Sequence, residues 1–152
     1  MSGKLAGLIA TFFGTGYAPK APGTVASVAT LPLFFFMRGL SLFWYLIVVA
    51  LLTGVGVTSS SQMENIWGRD PSRVVIDEVV GMLISLISRP DKAIVVLYGL
   101  IIFRILDILK PFPIGKIDKE VAGGVGIMAD DIVAGSITAF ILYIARVVRR
   151  SL

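Results

Sequence analysis

The 152-residue chain contains no cysteine and no histidine. Without cysteine, it can form no disulfide and present no thiolate nucleophile. Histidine is the commonest metal ligand and general base near neutral pH, so its absence leaves any catalysis to carboxylates, hydroxyls, lysine and arginine. Any bound metal should then be a hard ion such as Mg²⁺, because Mg²⁺ prefers oxygen ligands.

Charged residues are also scarce, at 16% of the chain, whereas apolar residues make up 56% and the mean hydropathy is +0.89. Soluble domains average about 25% charged residues. A small soluble domain cannot hide this much apolar surface, because its surface-to-volume ratio is high. The composition therefore predicts a membrane protein with a single domain over residues 1–152. The net charge of +4 comes from scattered lysines and arginines, which argues against a nucleic-acid partner.

Apolar runs separated by polar turns predict an all-α fold, a small multi-helix membrane bundle with short or partial transmembrane helices. Four or five helices are expected. The clearest spanning candidate is residues 42–57, LFWYLIVVALLTGVGV. Another apolar helix is predicted over residues 93–109, where the following Lys110-Pro111 ends it because proline lacks an amide donor.

Glycine marks the predicted loops. Residues 14–24 and 115–126 are rich in glycine and are predicted to be irregular. The last helix is then predicted to run from about Asp130 to Val148. Arginines at and beyond its end favour a cytoplasmic tail.

Five carboxylates lie within or at the mouth of the apolar segments: Asp77, Glu78, Asp107, Asp130 and Asp131. A carboxylate in hydrocarbon costs roughly 2.5–3.5 kcal/mol, so such residues normally face a bundle interior and pair there. Asp130 alone could cap the last helix by accepting from its first amides. That interpretation leaves the other four carboxylates unexplained. The pattern therefore predicts one polar site inside the bundle.

Cations accompany these carboxylates. Arg104, Asp107 and Lys110 are spaced i, i+3, i+6 and share one side of a helix. One interpretation is a simple Arg104–Asp107 ion pair. Together with Lys20, however, Arg104 and Lys110 make an anion clamp beside oxygen ligands, a combination that suits Mg²⁺ and phosphate. The glycine loops could add backbone amides, although neither has the Walker A spacing.

Four segments resemble the phosphatidylglycerophosphatase A family in both order and wording: GTGYAPKAPGTVAS, DPSRVVIDEVVG, FRILDILKPFPI and GGVGIMADDIVAG. The resemblance implies an all-helical, Mg²⁺-dependent lipid phosphatase of the bacterial inner membrane, with its active site facing the cytoplasm. Such an enzyme removes the terminal phosphate of phosphatidylglycerophosphate and yields phosphatidylglycerol, a cardiolipin precursor.

The resemblance and the residues together predict the roles of individual side chains. The five carboxylates would be the catalytic and metal-binding residues and would hold one or two Mg²⁺ ions. A carboxylate would activate a water for direct attack on phosphorus. The phosphate would be bound by Lys20, Thr24, Arg104 and Lys110, with Thr15 as a further hydroxyl contact. Asp130 and Asp131 would lie at a helix N-terminus, where negative charge is stabilised.

The same residues are also compatible with other functions. A small membrane transporter or channel with an intramembrane carboxylate ion site would also use buried carboxylates and broken helices. CDP-alcohol phosphotransferases combine carboxylates with Mg²⁺ in membranes, but their motif spacing is not found here. A purely structural membrane protein would leave five costly carboxylates without a purpose. The sequence does not define the oligomeric state.

Overall fold

Helices make up most of the chain in the computed structural model, which describes residues 1–151 and the side chains of residues 1–149. The described part has seven α-helices, one 3₁₀ turn at Thr15–Tyr17 and no strand. The α-helices are Gly3–Ala10 (α1), Pro22–Met37 (α2), Leu42–Trp67 (α3), Ile76–Ser85 (α4), Ala93–Leu109 (α5), Ile114–Glu120 (α6) and Gly123–Ser151 (α7). The predicted all-α fold is confirmed, although the expected number of helices was too low.

Two helices, α3 and α7, are long and apolar enough to cross a membrane. Their apolar segments have mean hydropathies of 2.0 and 1.7, and only 22% and 28% of these windows are buried inside the protein. At 1.5 Å per residue α3 is about 39 Å long, more than the roughly 30 Å hydrocarbon core of a bilayer. Large apolar side chains such as Leu51 and Phe140, each 64% exposed, cover their outer faces. These features are those of a small membrane helix bundle.

The short helix α4 lies at the centre of the bundle and packs against α2, α3, α5 and α7. Its residues Val79, Val80, Met82 and Leu83 are fully buried. A ten-residue helix cannot span a bilayer, and α4 is instead enclosed by the longer helices. Because the sequence places two carboxylates in its first turn, this packing carries them into the interior of the bundle.

Two glycines let α4 and α7 touch backbone to backbone. A Cβ atom added at Gly135 would lie 2.4 Å from the carbonyl oxygen of Gly81. One added at Gly81 would lie 2.8 Å from the carbonyl oxygen of Asp131. Each glycine lies four residues after a carboxylate of its own helix, Asp77 on α4 and Asp131 on α7. The close contact therefore brings the two carboxylate pairs together.

The prediction that residues 115–126 form a loop was wrong, because the segment contains most of α6 and the start of α7. The glycines that suggested a loop allow close packing instead. A Cβ at Gly124 would lie 2.1 Å from the Val57 carbonyl oxygen of α3, and the Gly124 amide donates to Ser61 Oγ at 3.1 Å. The last helix thus starts seven residues before Asp130, and Asp130 is not its cap.

Candidate metal and phosphate site

A cavity of about 570 Å³ opens at the end of the bundle where α3 ends and α7 begins. Its wall combines residues from six helices: Gly23 of α2, Glu64 of α3, Asp77 and Glu78 of α4, Arg104 and Asp107 of α5, Asp118 and Lys119 of α6, and Asp130 of α7. Asp131 is 1% exposed and is buried behind this wall. Residues far apart in sequence therefore converge on one polar chamber at the mouth of two membrane-length helices.

Asp77 and Glu78 form the acidic first turn of α4. Their helix starts where the Val75 amide donates to the Ala10 carbonyl oxygen at 2.8 Å, which ties α4 to the end of α1. Burial and then the neighbouring Glu78 charge raise the pKa of Asp77 well above its usual range. Burial also raises the pKa of Glu78. Both shifts mean that this turn needs nearby positive charge to remain ionised.

Arg104 on α5 supplies one such charge. Its Nη1 atom lies 2.6 Å from Asp107 Oδ2 and 3.6 Å from Glu78 Oε1, so it joins α5 to α4. Gly23 makes room for this contact, because a Cβ atom there would lie 1.9 Å from Glu78 Oε1 and 3.0 Å from Arg104 Nη1. The Arg104–Asp107 ion pair that the i, i+3 spacing suggests is present, and Arg104 also pairs with Glu78 on α4.

Lys110 supplies a second positive charge at the C-terminal cap of α5. Its backbone is left-handed, with φ 45°, which turns the chain out of the helix before Pro111. Its Nζ atom donates to Asp130 Oδ2 at 2.7 Å and also to Asp118 on α6. Burial lowers the pKa of Lys110, but the two carboxylate hydrogen bonds outweigh it and raise that pKa above its usual range. Lys110 therefore stays protonated and joins α5, α6 and α7.

Several carboxylate oxygens in the site are buried without a hydrogen-bond partner among the described residues. They are Asp77 Oδ1, Glu78 Oε2, Asp130 Oδ1 and Asp131 Oδ2. A buried anionic oxygen is costly unless it is paired or coordinates a cation. The carboxylates form two sets, and within each set one oxygen per residue lies within 4.8 Å of the others. One set is Asp77, Glu78 and Asp131, and the other is Asp107, Asp130 and Asp131. The donor set, all oxygen, fits a hard divalent ion.

The structure places most of the sequence-predicted site residues together. All five carboxylates, Arg104 and Lys110 lie in or against the cavity. Lys20 is exposed and Thr24 is half-buried, and neither is among the described residues that line it. The Thr15 hydroxyl donates to the carbonyl oxygens of Thr11 and Phe12, which stabilises the local turn. A phosphate contact from Lys20 or Thr24 stays a prediction.

Sequence reasoning missed further residues of the cavity, namely Glu64, Arg69, Asp70, Asp118 and Lys119. Asp118 is the most informative, because it shares Lys110 with Asp130. Its signal was weak, since it lies in IGKIDKE, where charges alternate with apolar residues as on any exposed surface. The sequence signal for Glu64 was clearer, because this residue lies on the polar C-terminal extension of the apolar helix α3.

Comparison with known proteins gives matches along nearly the whole chain. The family model described as phosphatidylglycerophosphatase A matches residues 8–146. A protein of that name from Escherichia coli is 44% identical over 138 residues, which cover 90% of this chain and 80% of that protein. One from Haemophilus influenzae is 31% identical over 140 residues, covering 90% and 85%.

A Bacteroides thetaiotaomicron protein, described as a candidate phosphatidylinositol-3-phosphatase, is 40% identical over 147 residues. These residues cover 91% of this chain and 92% of that protein. No solved structure matches the chain significantly. Relatives of similar identity thus carry two different lipid headgroups in their names, although both names describe phosphatases.

Proposed function

The chain belongs to the phosphatidylglycerophosphatase A family, and from that premise we propose that it is a Mg²⁺-dependent lipid phosphatase. Its substrate is phosphatidylglycerophosphate, and its products are phosphatidylglycerol and phosphate. The observation that carries this proposal is the chamber of buried, unpartnered carboxylate oxygens at one end of two membrane-length helices. A phospholipid can present its phosphorylated headgroup there while its acyl chains stay among apolar side chains.

Mg²⁺ is proposed because the site offers oxygen ligands without nitrogen or sulfur. Asp77, Glu78, Asp107, Asp130 and Asp131 are the residues that would hold it. When bound, the ion supplies Lewis-acid stabilisation of charge on the phosphoryl oxygens. The carboxylate oxygens without protein partners are those best able to act as ligands, since no existing hydrogen bond has to break.

The chain's own cations bind and orient the phosphate. Arg104 has five N–H donors, and its two ion pairs involve Nη1, so other donors remain for phosphate oxygens. Lys110 has three donors, of which Asp118 and Asp130 accept two. One carboxylate of the cluster accepts the proton of the attacking water, because the chain has no histidine to do so.

The membrane is proposed to be the bacterial inner membrane, with the cavity at its cytoplasmic face. Support comes from the relatives, which are bacterial, and from the exposed apolar faces of α3 and α7. Arg69 and Lys119 line the cavity, and lysine and arginine concentrate on the cytoplasmic side of membrane proteins. In this orientation the substrate enters from the cytoplasmic leaflet.

A second candidate substrate is phosphatidylinositol 3-phosphate, which the name of the Bacteroides relative favours. Both lipids carry a phosphomonoester on a polyol headgroup, and the carboxylate chamber is suited to that shared group. The headgroups differ in size and hydroxyl pattern, so the rim of the cavity has to distinguish them. Arg69 and Lys119 line the cavity and are exposed, which makes them the candidates for that contact.

The test measures phosphate release from each lipid in detergent micelles, with Mg²⁺ and then with EDTA. We expect Mg²⁺-dependent release from phosphatidylglycerophosphate. Asp131→Asn should lose at least about 100-fold in turnover, since even partners of metal ligands are worth 10–100-fold in metal affinity. The matched control is Asp91→Asn, an exposed carboxylate in the turn before α5, which should keep full activity.

The outcomes separate the candidate functions. Faster release from phosphatidylinositol 3-phosphate would replace the proposed substrate but keep the phosphatase. No release from either lipid by folded protein would overturn the enzyme, and the ion-site transporter or channel would take its place. In that case Asp131→Asn should instead change ion flux across vesicles.

A further inference from the structure

The carboxylates of the site divide into two groups that share one member. Asp77, Glu78 and Asp131 form one group, and Asp107, Asp130 and Asp131 form the other. In each group one oxygen per residue lies within 4.8 Å of the others. We infer that Asp131 bridges two divalent cations, one held with Asp77 and Glu78 and the other with Asp107 and Asp130. This inference rests on the proposed function and specifies the number of ions.

The burial of Asp131 supports a bridging role. The residue is 1% exposed, and its Oδ2 atom has no hydrogen-bond partner among the described residues. No cation of the protein is paired with it in the described chain, whereas Arg104 and Lys110 are paired with its neighbours. A fully buried carboxylate is costly without a positive partner. A cation beside Oδ2 would give this atom the partner that the described residues do not provide.

A single ion would not satisfy both groups. Asp77 Oδ1 and Glu78 Oε2 lack partners in the first group, and Asp130 Oδ1 lacks one in the second. Apart from Asp131 the groups have no common residue. An ion placed in one group would therefore leave buried anionic oxygens unpaired in the other, which costs free energy.

The charge of the site also corresponds to two ions. When all are ionised, the five cluster carboxylates and Asp118 face two cations, Arg104 and Lys110, which leaves four negative charges. Charges on the rim cancel, because Arg69 and Lys119 are balanced by Glu64 and Asp70. Two divalent ions would offset the remaining four charges. One ion would leave two, in a chamber that has to admit a phosphomonoester dianion.

Bridging makes a distinctive prediction for variants. If Asp131 serves both ions, its loss should weaken both, whereas loss of Asp77 or Asp107 should weaken one. Asp70 belongs to neither group although it lines the same cavity. Its left-handed backbone, φ 44°, suits asparagine. Asp70→Asn is therefore a matched control that removes one nearby charge without removing a ligand.

The experiment titrates the full chain in detergent with Mn²⁺, which shares the oxygen preference of Mg²⁺ and is paramagnetic. Calorimetry counts the ions, and electron paramagnetic resonance detects whether they are magnetically coupled. We expect two coupled Mn²⁺ per chain for the wild type and for Asp70→Asn. Asp77→Asn should retain one tight, uncoupled ion. Asp131→Asn should lose the coupling and weaken both ions at least about 10-fold.

One Mn²⁺ per chain, or two without coupling, would overturn the bridging role and leave the phosphatase intact if lipid turnover persists. Two coupled ions in a protein without activity on either lipid would support the bridge and overturn the proposed function. The wild-type count and coupling need no variant, so the inference stays testable even if Asp131→Asn does not fold. Retained coupling in a folded Asp131→Asn protein would also overturn it.

Discussion

Replacing Gly135 with alanine tests whether the α4–α7 contact sets the spacing of the carboxylates. The new Cβ would lie 2.4 Å from the Gly81 carbonyl oxygen, whereas ordinary contact starts at 3.4 Å, so the helices have to separate by about 1 Å. Overpacking of this kind costs about 1–3 kcal/mol of stability. The helix propensity of alanine returns about 1 kcal/mol of that loss. The net destabilisation should therefore be modest.

The effect on the site should be larger than the effect on stability. Gly135 and Gly81 lie one turn beyond Asp131 and Asp77, so their separation moves the two carboxylate pairs apart. A misplacement of about 1 Å can cost on the order of 100-fold in rate. We expect Gly135→Ala to lose about that much turnover and to bind Mn²⁺ more weakly, while thermal unfolding in detergent shifts by a few degrees.

Gly54→Ala is the matched control for this change. Gly54 lies within α3, is exposed, and has nothing within 4 Å of an added Cβ. Alanine should there raise the unfolding midpoint slightly and leave turnover unchanged. Wild-type turnover and Mn²⁺ affinity in Gly135→Ala would refute the reasoning, because the backbone contact would then not set the ligand spacing.

Two further changes probe the cation contacts. Gly23→Ala should lower turnover with little loss of stability, because its Cβ would lie 1.9 Å from the flexible end of Glu78 and 3.0 Å from that of Arg104 and would displace both. Steady-state kinetics compared with an unfolding curve would test this, and an unchanged kcat would contradict it. Arg104→Lys should weaken Mn²⁺ binding about 10–100-fold, since lysine keeps the positive charge but lacks the planar guanidinium that pairs with Asp107 and Glu78. Calorimetry would test this, and an affinity equal to that of the wild type would mean that the positive charge alone is sufficient.

Much of the site could be predicted from the sequence, because the prediction rested on the free-energy cost of burying charged side chains. Carboxylates in apolar helices are costly, and that cost already required Asp77, Glu78, Asp107, Asp130 and Asp131 to meet inside a bundle. The structure does bring them together. Helix α5 was also predicted over its observed range, because Pro111 ends it by removing a donor.

The start of α7 could not be predicted in the same way. Gly124 and Gly126 suggested a loop because glycine weakens an isolated helix. The contact of Gly124 is tertiary, since a Cβ atom there would lie 2.1 Å from the Val57 carbonyl oxygen of α3. A local pattern contains no information about such contacts. The error moved the helix start to Asp130 and gave this residue a capping role that it does not have.

Asp118 was missed for a related reason. Its role depends on the left-handed turn at Lys110, which folds α6 back toward the end of α5 and gives the lysine a second carboxylate. The sequence shows the prolines that end α5, but it does not show the direction in which the chain leaves them. Charges that act through such a turn cannot be separated from ordinary surface charges by spacing alone.

The continuity of α7 has a consequence for the sidedness of the protein. One uninterrupted helix carries Asp130 and Asp131 near its start and Arg146 and Arg149 near its far end. If it crosses the whole bilayer, the reaction and these arginines face different compartments. A cytoplasmic cavity and a cytoplasmic arginine-rich tail, each reasonable from local sequence, then exclude one another. Locating either end of this single helix therefore decides which leaflet supplies the substrate and receives the product.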